Sequence, residues 1–267
     1  VKVALITEVF WNDGCETLLD ECLAAAKADG ASLAVLPELP LNPWSPATRE
    51  VRDDDAEDPE GPRHRIQASA ARRAGIGLMG GAIVRDAATG TRHNNALIFD
   101  AEGELRGRYR KAHLPEEDGY WETSHYEPSD DIPRVIDGFD LRLGAQICSD
   151  VNRPEGSHVL GAKGAELILA PRCTPASSYG RWKLVLRANA VTSCAFVIST
   201  NRPRPEQGVP IGGASIAIAP DGEVLAESTD RVCVVDLDPA ALRAAREDYP
   251  GYIAVRSDLY ARAWSEV

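Results

Sequence analysis

The chain has 267 residues, 44% hydrophobic and 26% charged, the balance of a globular protein with a sizeable core rather than of a disordered or fibrous one. Its formal net charge of −12 argues against a broad nucleic-acid surface, which needs clustered Lys and Arg, and makes a small molecule the expected partner. No stretch reaches the roughly 18 apolar residues of a membrane helix, and the N-terminus lacks a basic segment followed by an apolar run, so a cytoplasmic protein with no membrane association is expected.

Val1 to Thr7 reads as a buried strand, Glu16 to Ala28 carries apolar residues at helical spacing before a C-capping Gly30, and Ser32 to Leu36 is a second apolar run. Asp53 to Gly61 is an acidic run without periodicity, either a solvated loop or a rim that attracts a cationic substrate. Ala96 to Leu105 (ALIFDAEGEL) reads as strand, acidic-Gly turn and return strand. The long aperiodic segment His113 to Asp131, rich in Glu, Pro and aromatics, has the character of an active-site loop rather than of a connector. Leu141 to Ile147, Pro154 to Ala162 and Leu167 to Ala170 then repeat the order strand, helix, strand, and Ser215 to Val224 (SIAIAPDGEV) repeats the hairpin. The tail from Glu247 to Val267, rich in Tyr, Arg and Trp, packs either on its own domain or on a neighbouring subunit.

The two halves match in detail, since GASLAVLPE (Gly30 to Glu38) parallels GAELILAPR (Gly164 to Arg172). Two similar sheet-plus-helix halves bury sheet against sheet and leave helices outside. The expected fold is therefore α/β, an α-β-β-α sandwich of two pseudo-symmetric halves, in a single domain spanning residues 1–267.

Three reactive side chains lie just past apolar runs: Glu38 after LAVLP, Lys111 after LRGRYR and Cys148 after LGAQI. Strand ends of α/β sheets converge on a crevice, so groups remote in sequence meet there. A thiol needs its proton removed before it attacks, and a carboxylate with an ammonium beside it supplies a base and a counter-charge. Each also has a plain reading, Glu38 as a turn cap and Lys111 as an exposed strand end. The six cysteines show no C-x-x-C spacing, so neither a zinc ribbon nor a disulfide framework is suggested, and most serve as small buried hydrophobes. Trp44, Tyr120 and Trp121 lie near these residues in sequence and either line a pocket or pack the core. Arg172 and Cys173, just past the strand that echoes the Glu38 strand, are placed to touch substrate, though no base signature accompanies Cys173. Asp150 is expected to hold the loop beyond Cys148 through backbone hydrogen bonds. Asp150, Glu155 and His158 have irregular spacing for a metal site.

Around these residues the chain reads PEL (Pro37 to Leu39), YRKAHLP (Tyr109 to Pro115) and ICSDVNRPE (Ile147 to Glu155). GAELILAP (Gly164 to Pro171), GGASIAIAPDGEVLA (Gly212 to Ala226) and VDLDPAALRAAR (Val235 to Arg246) follow. In these segments and their order, covering nearly the entire chain, the sequence resembles the nitrilase, or carbon-nitrogen hydrolase, superfamily. The resemblance implies the same sandwich and a Glu-Lys-Cys triad at Glu38, Lys111 and Cys148. Tyr109 to Asp130 looks most like the branch that hydrolyses N-carbamoyl amines and amides, where a second glutamate follows two aromatics. That match falls on Glu122, with the implied role of orienting the substrate nitrogen and Lys111 or helping to activate water. The implied reaction is attack of Cys148 on an amide or ureido carbonyl, giving a thioester that water hydrolyses. Glu38 moves the protons, while Lys111 and the Ser149 backbone N–H face the oxyanion. No metal or organic cofactor is implied. Because family members commonly pair through helices, the resemblance also implies a homo-oligomer, with the tail 247–267 as a candidate interface.

Three positions depart from the family pattern. Ser149 replaces an aromatic and should widen one pocket wall or make it more polar, which makes it a substrate-contact candidate. Ser157 and His158 stand where an arginine is usual, and Asn189 to Ser193 replaces a stretch like RAxEN, removing a charged pair that could brace the catalytic loop. Two other functions stay open: a nitrilase using the same three residues, or a catalytically weak member acting as an interaction protein.

Overall fold

In the computed structural model, which describes residues 1–267, period-two alternation along short apolar strands sorts side chains between two kinds of core. The first half contains β1 (Lys2–Ile6), β2 (Leu33–Val35), β3 (Ala56–Glu57), β4 (Gly77–Arg85), β5 (Arg92–Phe99) and β6 (Leu105–Arg110), with helices α1 (Cys15–Ala28) and α2 (Pro62–Ala74). A small hairpin, β7 (Glu116–Glu117) and β8 (Tyr120–Trp121), runs into the short helix α3 (Glu122–His125). The second half contains β9 (Leu143–Ala145), β10 (Leu167–Leu169), β11 (Phe196–Ser199), β12 (Ser215–Ile218) and β13 (Val224–Ser228), with α4 (Pro154–Ala162) and α5 (Tyr179–Ser193). The chain then returns to the first sheet as β14 (Val232–Asp236) before α6 (Pro239–Glu247) and α7 (Ser257–Trp264).

Sheet order is β14-β1-β2-β4-β5-β6 in the first half and β13-β12-β11-β10-β9 in the second. In each, three parallel strands are followed by two antiparallel ones: β1, β2 and β4 then β5 and β6, against β9, β10 and β11 then β12 and β13. Val3 and Leu5 of β1 join Leu167 and Leu169 of β10 in the core between the sheets. The alternate residues Ala4 and Ile6 pack with α1 and α2, and Ile168 packs with α4 and α5. The two sequence-matched halves thus form the α-β-β-α sandwich, each buried Leu or Ile contributing about 2 kcal/mol of apolar burial.

Two segments differ from their sequence reading. The apolar run Leu141 to Ile147 is strand only over Leu143–Ala145, because the chain breaks from the ladder to enter the turn at Cys148. The acidic run is solvated only in part: Asp53, Asp54, Asp58 and Glu60 are exposed, but Asp55 and Glu57 are buried, and the Glu57 carboxylate accepts from Arg63 N and His64 N at 2.7 and 2.9 Å in the first turn of α2. Asp53 receives Arg85 and Arg92, at 2.8 and 3.1 Å, so part of the run's charge is matched locally. At the other end, α7 buries no residue, and Tyr249, Tyr252, Tyr260 and Trp264 are 60–75% exposed. No helix is long and apolar enough to cross a membrane.

Helices α4 and α5 touch at Gly161, where a Cβ would lie 2.5 Å from the Ser193 carbonyl oxygen and 2.9 Å from its Cα. Backbone cannot rotate aside as a side chain does, so Gly161→Ala should cost about 1–3 kcal/mol. Equilibrium urea unfolding should show the midpoint falling at unchanged slope.

Candidate active site

Glu38 follows β2, Lys111 directly follows β6, and Cys148 follows β9 as the first residue of a 3-10 turn, Cys148–Asn152. All three stand at carboxyl ends of strands, where the apolar ladder gives way to loops. Cys148 has φ 48° and Leu39, beside Glu38, has φ 47°, a left-handed conformation that non-glycine residues hold only under constraint from their surroundings.

The structure brings Glu38, Lys111 and Glu122 into direct contact. The Lys111 Nζ donates to Glu38 Oε1 at 2.8 Å and to both Glu122 oxygens at 2.7 and 2.6 Å, with all three side chains fully buried. Asn94 on β5 donates its Nδ2 to the same Glu38 Oε1 at 2.8 Å, and the Tyr126 hydroxyl donates to Glu122 Oε2 at 2.7 Å. One oxygen is left over: Glu38 Oε2 is buried and has no hydrogen-bond partner. Cys148 is 5% exposed, and its Sγ lies 3.9 Å from the Cys173 carbonyl oxygen, a weak contact for a thiol.

Charge follows from this packing. Burial acts against the Lys111 ammonium, but Glu122 and Glu38 outweigh it and hold its pKa well above the ordinary lysine value. Burial pushes the Cys148 thiol well up, Glu38 and Glu122 add to the rise and Lys111 opposes it, so the resting sulfur is protonated at neutral pH. Burial, opposed by Lys111 and reinforced by Glu38, raises the Glu122 carboxyl to about 7.

Asp150 joins the Lys111 and Cys148 segments. Its Oδ1 accepts from Ala112 N and His113 N at 3.2 and 2.9 Å and lies 2.8 Å from His113 Nδ1. Its Oδ2 accepts from Ile147 N and the Tyr109 hydroxyl, both at 2.9 Å. The Asp150 hydrogen bond raises the half-exposed His113 imidazole against the effect of its burial. Asp150 therefore does more than the local loop-holding expected from sequence. Ser149 Oγ adds a bond to the His113 carbonyl at 2.5 Å.

The sequence-derived contact residues divide. Tyr120 is half-buried with a buried, unpartnered hydroxyl, and its phenol is raised first by burial and then by Cys173, Cys148 and Glu38, the groups around the thiol. Cys173 is fully buried and offers its carbonyl to Cys148. Trp44 is fully buried, donates Nε1 to the Gly119 carbonyl at 2.8 Å and packs 5.8 Å from the Tyr120 ring, supporting the hairpin from behind. Trp121 lies under the Arg49 guanidinium at 3.9 Å. Arg172 is fully buried and spends donors on Thr174, the Ser199 carbonyl and hydroxyl, and the Ala214 carbonyl, bracing the strand ends of the second sheet. Two clefts lie elsewhere, one lined by Leu33, Gly77, Phe139 and Leu143 and one beside the acidic run.

Sequence reading missed Asn94, which sits in β5 with no spacing signal to mark it, and Tyr126, whose i, i+4 spacing from Glu122 across α3 is a signal that could have found it. The atypical positions prove structural. Ser157 Oγ bonds Gln146 Oε1 at 2.5 Å, and His158 Nε2 bonds Thr192 Oγ1 at 2.8 Å. Asn189 Nδ2 donates to the Val151 carbonyl at 2.8 Å, so α5 still braces the turn after Cys148. Asp150, Glu155 and His158 do not gather as a metal-binding group.

The family profile described as carbon-nitrogen hydrolase matches residues 11–247, and with this fold and these strand-end residues the chain belongs to that family, the nitrilase superfamily. It is 30% identical over 245 residues to nitrilase homolog 2 of Dictyostelium discoideum, covering 88% of this chain and 74% of that protein. Identity to a citrullinase of Francisella tularensis is 27% over 278 residues, covering 97% of this chain and 96% of the other. A crystal structure of an amidase from Nesterenkonia sp. superposes with a TM-score of 0.80 at 25% identity, covering 99% of this chain and 96% of that one.

Two predictions follow from the charge network. Asp150→Asn removes one acceptor face from five donors and should cost about 2 kcal/mol, read as a fall in denaturant midpoint. For Glu122 the folded pKa is raised above the unfolded one, so its contribution to stability is full below the unfolded value and is lost as pH rises towards about 7. Between pH 5 and pH 8, on the order of 3 kcal/mol of stability should be lost in the parent and not in Glu122→Gln, measured by melting at both pH values.

Proposed function

We propose that this carbon-nitrogen hydrolase cleaves the C–N bond of a small amide or N-carbamoyl compound through a Cys148 thioester. The carrying observation is the unpartnered, buried Glu38 Oε2 of a carboxylate whose other oxygen is fixed by Lys111 and Asn94, in a site where the nucleophilic thiol rests protonated. A protonated thiol needs a base at the moment of attack, and Glu38 holds one lone-pair-bearing oxygen free for it.

In this reading, Cys148 Sγ attacks the carbonyl carbon while its proton passes to Glu38. The tetrahedral oxyanion is met by Lys111 and by the Ser149 N–H, one of the donors left open at the start of a helical turn. Such a pre-oriented donor is worth roughly 3 kcal/mol. The Lys111 donors are all engaged in the resting site, so it reaches the oxyanion by exchanging one Glu122 bond. Collapse expels ammonia or amine with the proton held by Glu38, leaving the acyl or carbamoyl group on sulfur. Water, deprotonated by Glu38 with Glu122 close by, then attacks the thioester and regenerates the thiol. The 5% exposure of Cys148 supports a small substrate, and two carboxylates against one ammonium favour a neutral carbonyl group over an anionic one. The similarity to an amidase and to a citrullinase supports amide and ureido bonds respectively. All six cysteines are free, which suits a reducing cytoplasm where Cys148 remains a thiol.

An ammonia-release screen over amides, N-carbamoyl amines, N-carbamoyl amino acids and nitriles tests this. Turnover of an amide or ureido compound, lost by at least about a thousandfold in Cys148→Ala and Glu38→Gln, is expected. Turnover of nitriles alone, or activity surviving Cys148→Ala, would refute it. Mass spectrometry of the quenched reaction should show the acyl adduct on Cys148. The exposed aromatic tail supports pairing with a second copy, and light scattering behind size-exclusion chromatography should give a multiple of the 28.8 kDa chain mass.

A further inference from the structure

Outside the groups that meet the thiol, one buried charge directs its bonds at the loop carrying Glu38. Arg202, just past β11, is completely buried, and each of its five N–H donors is used. Its Nε and Nη2 donate to Glu206 Oε1 and Oε2 at 2.8 and 2.6 Å, Nη2 also reaches the Asn42 carbonyl at 2.9 Å, and Nη1 donates to the carbonyls of Glu38 and Leu39 at 2.9 and 2.8 Å. Two consecutive carbonyls can converge on one nitrogen because Leu39 is left-handed, a conformation unfavourable for leucine unless something holds it. Glu206 Oε2 also accepts from Trp44 N at 3.2 Å, and Glu206 is itself fixed by two backbone bonds with Val209 at 3.1 and 2.8 Å. Two residues before Arg202, Thr200 Oγ1 donates to the Leu36 carbonyl at 2.8 Å. The strand end of the second sheet thus grips the Leu36–Asn42 backbone of the first.

A charge-neutralising brace would need only the Glu206 contact. The remaining three donors go to main-chain oxygens within the Glu38 turn, and the direction of the Glu38 side chain depends on that backbone. A misplacement of about 1 Å in a reacting group costs on the order of a hundredfold in rate.

We propose that Arg202, anchored by Glu206, is a positioning residue for Glu38, locking the Glu38–Leu39 backbone so that Oε2 stays free of partners and faces the thiol. The proposal rests on the reading of Glu38 as the base.

The test uses Arg202→Lys and Glu206→Gln in the full chain. Lysine keeps the charge but has three donors in place of the five-donor fork. For the best amide, kcat should fall roughly ten- to a hundredfold in each variant with KM within about twofold of the parent. Iodoacetamide labelling of Cys148 should slow about tenfold at neutral pH, where the protonated thiol depends on Glu38 as base. Leu23→Ala, in the α1 core, provides a variant of lowered melting temperature whose kcat and labelling profile at a permissive temperature should stay parental. Parental kcat and labelling in folded Arg202→Lys and Glu206→Gln would overturn the proposal, as would losses that Leu23→Ala reproduces at the same fall in melting temperature. If Arg202→Lys does not fold, the isosteric Glu206→Gln decides. If the parent turns over no amide or ureido compound, the proposed function fails, and the labelling profiles alone decide the role of Arg202.

Discussion

The interaction on which the site depends is the Lys111 ammonium sealed between two carboxylates. A bare ammonium removed from water is unstable by several kcal/mol, so its burial requires the 2.6–2.8 Å contacts to Glu38 and Glu122. The two acids are imposed on each other by the same charge that satisfies them; burial first, and then this excess of negative charge, raise the Glu122 carboxyl and the Cys148 thiol, with Lys111 opposing both. Hydrogen-bond donors around the cluster are limited, and Lys111, Asn94 and Tyr126 place theirs on Glu38 Oε1 and on Glu122.

The sandwich makes such a cluster possible. Each reactive group lies where a strand leaves its ladder, and the face-to-face sheets bring those ends together with apolar ladders excluding water behind them. Strand ends are irregular, and the backbone carries strain there: Leu39 and Cys148, next to or at the reactive side chains, both have positive φ, costing roughly 1–3 kcal/mol each. Buried polar groups hold that strain. Asp150 ties the Cys148 turn to the Lys111 segment, and Arg202 and Thr200 tie the Glu38 loop to the second sheet. Each tie runs between main chain and side chain, a geometry that fixes position more tightly than apolar packing does.

Charge elsewhere is managed pair by pair. The acidic run has no periodicity to read, yet in three dimensions Glu57 caps α2 and Asp53 holds two arginines from β4 and β5. The net charge of −12 is the acidic excess left after such pairs and says little about any one surface. The aromatics of the tail stay largely exposed, and Tyr249 and Tyr252 meet edge to face at 6.3 Å.

The sequence by itself determined the layers, because alternating apolar runs such as Val3 to Ile6 and Leu167 to Ala170 dictate which side chains face the opposing sheet and which face helices. Its internal repeat marked two equivalent halves, and Glu38, Lys111 and Cys148 were legible as candidates because each follows such a run within a segment that resembles the carbon-nitrogen hydrolase family. Tertiary structure alone decided the partners of those groups. Asn94 and Arg202 act on residues 56 and 164 positions away, and bonds between different strand ends follow no sequence period, whereas Tyr126 reaches Glu122 at the i, i+4 spacing of a helical turn. Nor could sequence choose which aromatics support the site and which border the thiol, since Trp44 and Tyr120 carry the same apolar signal. Their difference arises in three dimensions, where the Trp44 indole N–H is spent on the Gly119 carbonyl while the Tyr120 hydroxyl has no partner, and no spacing along the chain encodes it.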